Sequence, residues 1–495
     1  MLSKEEIVKS VPQTGFFGQP KGLLSLFFTE FWERFSYYGM RAILIYYMYY
    51  EVTQGGLGLE RSTANSIMAV YGSLVYMSGI IGGWIADRLF GTTRTVFYGG
   101  VLIMIGHIIL AFPGGLTTLF LSMAFIIIGT GLLKTNISTI VGDLYSADDA
   151  RRDSGFSLFY MGINMGAFVA PLIVGTIGLE YNFHLGFGLA AVGMAIGLVV
   201  FLTTKKKYLG LAGSYVPNPL SSERKKKFFT RLAIGVVIIA ALGFYLIQAG
   251  IMTIDVFTMT ISILGILIPT LYFIVMYRSD KSTADEKSRL LAYIPLFVAA
   301  MMFWAIQEQG SNILAQYADE RVDLTLGSFE ISPAWFQSLN PLFIIALAPL
   351  FAWLWVKLGN RQPSTPRKFA YGLFFAGLSF VVMIFPAYFN GTDTLANPMW
   401  LVLSFFLVVL GELLLSPVGL SATTKLAPAA FAAQTMSLWF MTNASAQAIN
   451  AQVVKLYKPE TEIMYFGVIG AIAIGLGLIL YVMTPLIQKY MRGIR

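Results

Sequence analysis

Apolar residues fall along this chain in long blocks, separated by short segments that hold most of the charge. The blocks lie at roughly 23–50, 62–86, 95–112, 117–140, 155–177, 183–203, 230–249, 254–277, 290–315, 333–357, 369–388, 398–421, 429–455 and 463–488. A helix needs about 20 such residues to cross the hydrocarbon of a bilayer. The pattern therefore predicts about fourteen membrane-spanning helices and an all-α polytopic membrane protein. Composition agrees. Of 495 residues, 56% are hydrophobic and 12% charged, with a mean hydropathy of +0.70. Soluble domains carry about 25% charged residues. There is no cysteine, hence neither a disulfide framework nor a thiolate metal site. Residues 1–22 mix charges and lack the apolar core of a signal peptide.

The net charge of +8 invites a nucleic-acid reading, but its distribution serves topology instead. With the N-terminus inside, the inner segments hold roughly 27 of the 34 basic residues. Lys205 to Lys207 and Arg224 to Lys227 form the densest runs. The opposite side keeps Arg61, Arg321, Lys455 and Lys458. An even number of spans then places both termini in the cytoplasm. Six blocks lie within 1–203 and six within 289–495; a basic linker and two extra spans occupy 204–288. Two six-helix bundles fit the major facilitator architecture, whose substrate binds at the midplane between repeats. Tyr46, Tyr47, Tyr49 and Tyr50 are expected as an outer aromatic belt.

Charges inside the blocks are the chemical signal. Each costs a few kcal/mol in hydrocarbon unless paired or hydrated. In the first block, Glu30, Glu33, Arg34, Tyr37, Tyr38 and Arg41 share an arc of roughly 140° on one helix. A polar stripe on a membrane helix is expected to line a watered path. A structural ion pair is the plainer alternative. Lys134 lies in the fourth block, Asn164 in the fifth, Glu308 in the ninth and Glu412 in the twelfth. Four acids face three bases within spans, so most pair and one carboxylate is left to hold a proton. The cations lie in the first half; Glu308 and Glu412 lie in the second. A zwitterion with separated ends would fit between them. Asn340 precedes Pro341, a break expected to turn its side chain toward a cavity. His107 and His184, outside any charged motif, are read as packing or loop residues. The loop Gly82-Gly83-Trp84-Ile85-Ala86-Asp87-Arg88 follows the second block and resembles the major facilitator signature loop. Its glycines would allow close helix approach, and Asp87 would either lock one state or form a plain interfacial pair.

Taken together, these motifs resemble the proton-dependent oligopeptide transporters, the POT or PTR family of the major facilitator superfamily, bacterial branch. The resemblance runs from about Gly15 to the C-terminus. Glu30-Phe31-Trp32-Glu33-Arg34-Phe35 is similar to the family's ExxER motif, and Phe159-Tyr160-Met161-Gly162-Ile163-Asn164 to its fifth-helix signature. Thr135 departs from the proline that many relatives carry after the lysine, which puts a local bend there in doubt.

The resemblance implies a proton-coupled symporter that imports di- and tripeptides across the bacterial cytoplasmic membrane, as a monomer and without a cofactor. Arg34, Tyr38 and Lys134 would face the peptide carboxylate. Asn164, Asn340 and Glu412 would hold its amino group. Tyr37, Tyr76, Trp304 and Trp439 would shape side-chain pockets. Glu30 and Glu33 would couple protons with Arg34. Glu308 would join them in coupling and would pair with Arg41 and Lys134 as a gate. A carrier of another solute such as nitrate is the alternative within transport. A membrane hydrolase is a third reading, but HExxH, nucleophile-elbow and Walker A patterns are all missing from the sequence.

Overall fold

In the computed structural model, which describes residues 4–146, 149 and 151–494, nearly all regular structure is helical. The first part of the chain forms α1 (Lys4–Ser10), α2 (Gly22–Tyr49), α3 (Arg61–Ile85), α4 (Thr92–Leu110), α5 (Gly115–Asp143), α6 (Arg152–Ala170) and α7 (Phe183–Thr204). Next come α8 (Ser222–Gln248) and α9 (Ile254–Arg278). The remainder forms α10 (Ala284–Gln307), α11 (Ile313–Glu320), α12 (Leu339–Leu358), α13 (Thr365–Val381), α14 (Phe385–Asn390), α15 (Pro398–Leu426), α16 (Ala432–Val453) and α17 (Glu462–Tyr490). A small antiparallel hairpin, β1 (Thr325–Leu326) and β2 (Phe329–Glu330), lies between α11 and α12. Among the described residues, twelve helical stretches are long and apolar enough to cross a membrane. α2 and α16, with 28 and 22 residues, are long enough but too polar to join them.

Cα packing divides the chain into two compact units. One comprises Met1–Met40, Met77–Ala170 and Tyr181–Thr260; the other comprises Arg41–Tyr76, Pro171–Glu180 and Ile261–Arg495. In the first unit the core gathers Leu26 of α2, Ile103 of α4, Leu133 and Ile137 of α5 and Phe201 of α7. The N-terminal segment belongs to that core. Ile7 and Val11 are buried in it, and Lys4 pairs with Asp143 at the end of α5, 3.0 Å away. The same carboxylate accepts the backbone N–H of Gly213. Gly82 of α3 bears out the expected close approach: a Cβ there would collide with the Gly131 carbonyl of α5. Gly83 faces open space. Asp87 is exposed and makes no ion pair among the described residues; its backbone carbonyl accepts from Asn218.

Several local expectations change. The linker is shorter than its charge pattern predicts, because Ser221 caps α8 and draws Arg224 to Lys227 into its first turns. α5 runs unbroken through Lys134 and Thr135, since threonine keeps the N–H that proline would remove. Pro341 causes no break either. It sits in the first turn of α12, where its missing N–H has no partner to lose. The ninth block is interrupted: α10 gives way at Glu308–Ser311 to a 3₁₀ turn, and α11 follows. The tyrosine belt is also corrected. Tyr46, Tyr47 and Tyr49 are almost wholly buried. Tyr46 donates to the Ala315 carbonyl, and Tyr49 and Tyr50 both donate to the Asp319 carboxylate at 2.7 Å. These phenols serve α11, not the lipid headgroups. His107 is fully buried and His184 Nδ1 donates to the Leu110 carbonyl at 2.8 Å, which fits packing and loop roles.

Candidate functional site

The ionic stripe of α2 folds onto itself within the first unit. Glu30 and Arg34 are one turn apart, so their side chains meet on one face. Arg34 Nε donates to Glu33 Oε2 and lies 3.2 Å from Glu30 Oε1, within ion-pair distance. All three residues are 2% exposed or less. Tyr37 and Tyr38 place their rings 5.4 and 5.9 Å from the guanidinium, which their π faces stabilise. One guanidinium thus serves two carboxylates, and each group keeps a buried atom with no hydrogen-bond partner among the described residues: Glu30 Oε2, Glu33 Oε1 and Arg34 Nη2. Such a cluster can take a proton and can offer a donor to an anion. Lys134 of α5 is half-buried and lies near enough to Glu30 to interact electrostatically. α6 comes close through Gly166, where a Cβ would press on the Phe31 carbonyl and on Arg34. Asn164, two residues earlier, is buried and donates its amide to the Tyr160 carbonyl of its own helix.

The second unit builds a site around Glu308, at the point where α10 ends. Arg41 Nη2 and Gln447 Nε2 donate to Oε2, the latter at 2.8 Å. Tyr76 and Asn443 donate to Oε1 at 3.3 and 3.1 Å. A carboxylate that is 7% exposed is thereby met by a cation and three neutral donors, which offset the cost of its burial. Arg41 meets Glu308, the pairing that the resemblance implies; Tyr76, expected to shape a side-chain pocket, donates to the same carboxylate, and Asn443 and Gln447 of α16 were missed. Their spacing was the available signal: Asn443, Gln447 and Asn450 stripe one face of a helix that carries no charged residue.

Glu412 of α15 forms a third node. Asn340 Nδ2 and Gln307 Nε2 donate to its Oε2 at 3.2 and 2.9 Å. Gln307, beside Glu308 in sequence, was also missed. Two neutral amides leave the charge of Glu412 without a paired cation among the described residues, so a cationic ligand group would suit it. Trp439 is buried, with its ring over Gly419 and edge-on to Phe369. Trp304 is half-buried and meets Phe303 edge-on. Beyond these nodes lies a second ionic layer on α11. Gln316 accepts from Asn65, Glu320 pairs with Arg61, and Arg321 forms a two-point pair with Glu462 of α17. No group of three or more possible metal ligands occurs among the described residues.

Comparison with known proteins adds an independent line. The family model PTR2, described as the POT family, matches residues 93–472, well over half of the chain. An uncharacterized transporter of Bacillus subtilis (strain 168), YclF, is 64% identical over 493 residues, covering 100% of this chain and 99% of that protein. A di-/tripeptide transporter of Lactococcus lactis subsp. cremoris is 50% identical over 488 residues, covering 97% and 98%. A crystal structure of a peptide transporter POT in complex with sulfate superimposes with a TM-score of 0.97 at 67% identity, each chain fully covered.

Proposed function

Because this chain belongs to the POT family of membrane transporters, we propose that it imports di- and tripeptides with protons by alternating access. It is a transporter and not an enzyme. The observation that carries the coupled mechanism is Arg34 held between two buried carboxylates. Protonating Glu30 or Glu33 weakens that hold and frees the guanidinium for a peptide carboxylate. Deprotonation recaptures it. Proton and peptide are then linked through one shared cation, as coupling requires. Lys134 assists at the carboxylate. Glu412, presented by Asn340 and Gln307, receives the peptide ammonium with Asn164. Tyr38 faces the peptide carboxylate with Lys134, and Tyr37, Tyr76, Trp304 and Trp439 line the side-chain space. The Arg41–Glu308 pair forms a gate in which Lys134 takes part, and Glu308 contributes to proton coupling. Uptake of a labelled dipeptide into proteoliposomes, with and without an imposed pH gradient, tests the whole. Gradient-driven accumulation of intact peptide is expected, and accumulation of nitrate with no peptide uptake would overturn the reading. The Glu412 carboxylate favours the peptide, since an anion gains nothing from it.

In the membrane we place fourteen spans: the twelve apolar stretches together with α2 and α16. They form two six-helix bundles, 1–203 and 289–495, with the linker and the extra pair α8 and α9 in 204–288. Both termini and the linker lie in the cytoplasm, and the carrier works as a monomer. The support is the bias of basic residues toward one side. The absence of native cysteine makes the test clean. Ser222→Cys and Asp393→Cys sit at exposed positions and are expected to react with an impermeant maleimide from opposite faces. Reaction from the same face would sink the topology.

A further inference from the structure

α16 is a polar helix in a hydrocarbon setting, and its polar groups point three ways. At 100° per residue, Asn443, Gln447 and Asn450 lie within about 60° of arc. The first two hold Glu308, and Asn450 donates to the Ala305 carbonyl of α10 at 3.0 Å. Ser445, Ala448 and Gln452 occupy an arc of about 60° on the opposite side. That side is fastened to α9. Ser445 Oγ donates to the Gly265 carbonyl at 2.6 Å, Ser262 Oγ donates to the Ala448 carbonyl at 2.6 Å, and Gln452 Nε2 donates to Ser262 Oγ at 3.0 Å. Between the two faces, Ser73 and Ser66 of α3 donate to the Ala444 and Ala451 carbonyls.

The Gly265 carbonyl is special in α9. Its helical donor would be the N–H of the residue four positions on, and that residue is Pro269. Proline has no N–H, so the carbonyl is released from the helix ladder, and Ser445 takes it. Gly265 also permits the approach, because a Cβ there would overlap Ala448 Cβ. The Gly265–Pro269 notch is therefore a keyed socket for one rotation of α16. In lipid no hydrophobic drive fixes helix rotation, so such polar keys and close packing carry it. A turn of α16 by one residue would swing Asn443 and Gln447 away from Glu308.

We infer that α9, one of the two helices outside the six-helix bundles, is a positioning element for proton coupling, acting through Ser445 to hold Asn443 and Gln447 on Glu308. This rests on the reading of Glu308 as a coupling group. The test is gradient-driven accumulation against peptide exchange in proteoliposomes. Ser445→Ala, Pro269→Ala and Gly265→Leu are expected to cut accumulation about fivefold, as for loss of one neutral hydrogen bond, while exchange stays near the parent rate. Gln447→Ala is expected to show the same split, and Ser445→Thr, which keeps the hydroxyl, to restore accumulation. Val275→Ala, on the exposed side of α9, serves as the control. Equal losses of accumulation and exchange, or parent-like values in all three variants, would reduce α9 to a packing element and overturn the inference. Ser445→Ala removes a single oxygen and keeps the comparison open if the bulkier variant fails to fold. Glu308→Gln separates the premise: normal accumulation in that variant refutes the coupling role of Glu308 itself.

Discussion

Glu33→Gln is expected to abolish pH-driven accumulation of peptide and to retain exchange of labelled for unlabelled peptide. Glu33 is fully buried, accepts from Arg34 Nε and shares that guanidinium's charge with Glu30. The amide mimics a permanently protonated acid, so Arg34 is no longer recaptured at that position. A loaded carrier can still reorient, and exchange needs no net proton release. Arg34→Ala is expected to lose both activities, because it removes the donor for the peptide carboxylate and leaves two buried carboxylates without their cation. An uncompensated buried charge costs about 3–5 kcal/mol. Lys134→Ala is expected to follow Arg34→Ala. Asn164→Ala should mainly weaken affinity, by about fivefold, since a neutral hydrogen bond contributes about 1 kcal/mol. The measurement is paired uptake and exchange at several pH values. Accumulation at the parent rate in Glu33→Gln would move the proton site away from the α2 cluster, with Glu308 next in line, and leave the cluster as a structural ion pair.

The second large effect is on stability. Glu462→Ala is expected to destabilise the protein by about 3–5 kcal/mol, as removal of one partner from a buried pair does. Arg321 is 5% exposed and Glu462 is buried completely. Arg321 Nε and Nη2 each donate to Glu462 at 3.0 Å, Nη1 donates to the Thr394 carbonyl and Nη2 also to the Gly391 carbonyl. Its own carbonyl accepts from Ala396. One side chain thus ties the end of α11 to the loop before α15 and to the start of α17. α11 carries Asp319 and Glu320, the partners of Tyr49, Tyr50 and Arg61, so losing the clamp loosens that layer as well. Arg321→Met combined with Glu462→Leu should recover much of the loss, because no charge is then stranded. Thermal unfolding in detergent checks both variants. A melting temperature equal to the parent's in Glu462→Ala would mean that the clamp has no net effect.

What the sequence settles by itself follows from costs that act residue by residue. Hydrocarbon excludes charge and demands internally satisfied backbone, so the membrane class, the helical fold and the unusual status of Glu30, Glu33, Arg34, Glu308 and Glu412 are all legible in a linear pattern. The pairing of Arg34 with Glu30 is legible too, because i and i+4 positions meet on any helix. Partners far apart in the chain are not. Arg321 and Glu462 are separated by 141 positions, and Gln447 and Glu308 by 139; only packing decides that they meet. Each of these polar groups gains its role from a neighbour that satisfies it once water is gone, and a hydropathy pattern records the cost without naming the neighbour. For the same reason a row of tyrosines that reads as an interfacial belt is buried against α11, and a serine in α16 finds the one carbonyl that Pro269 sets free.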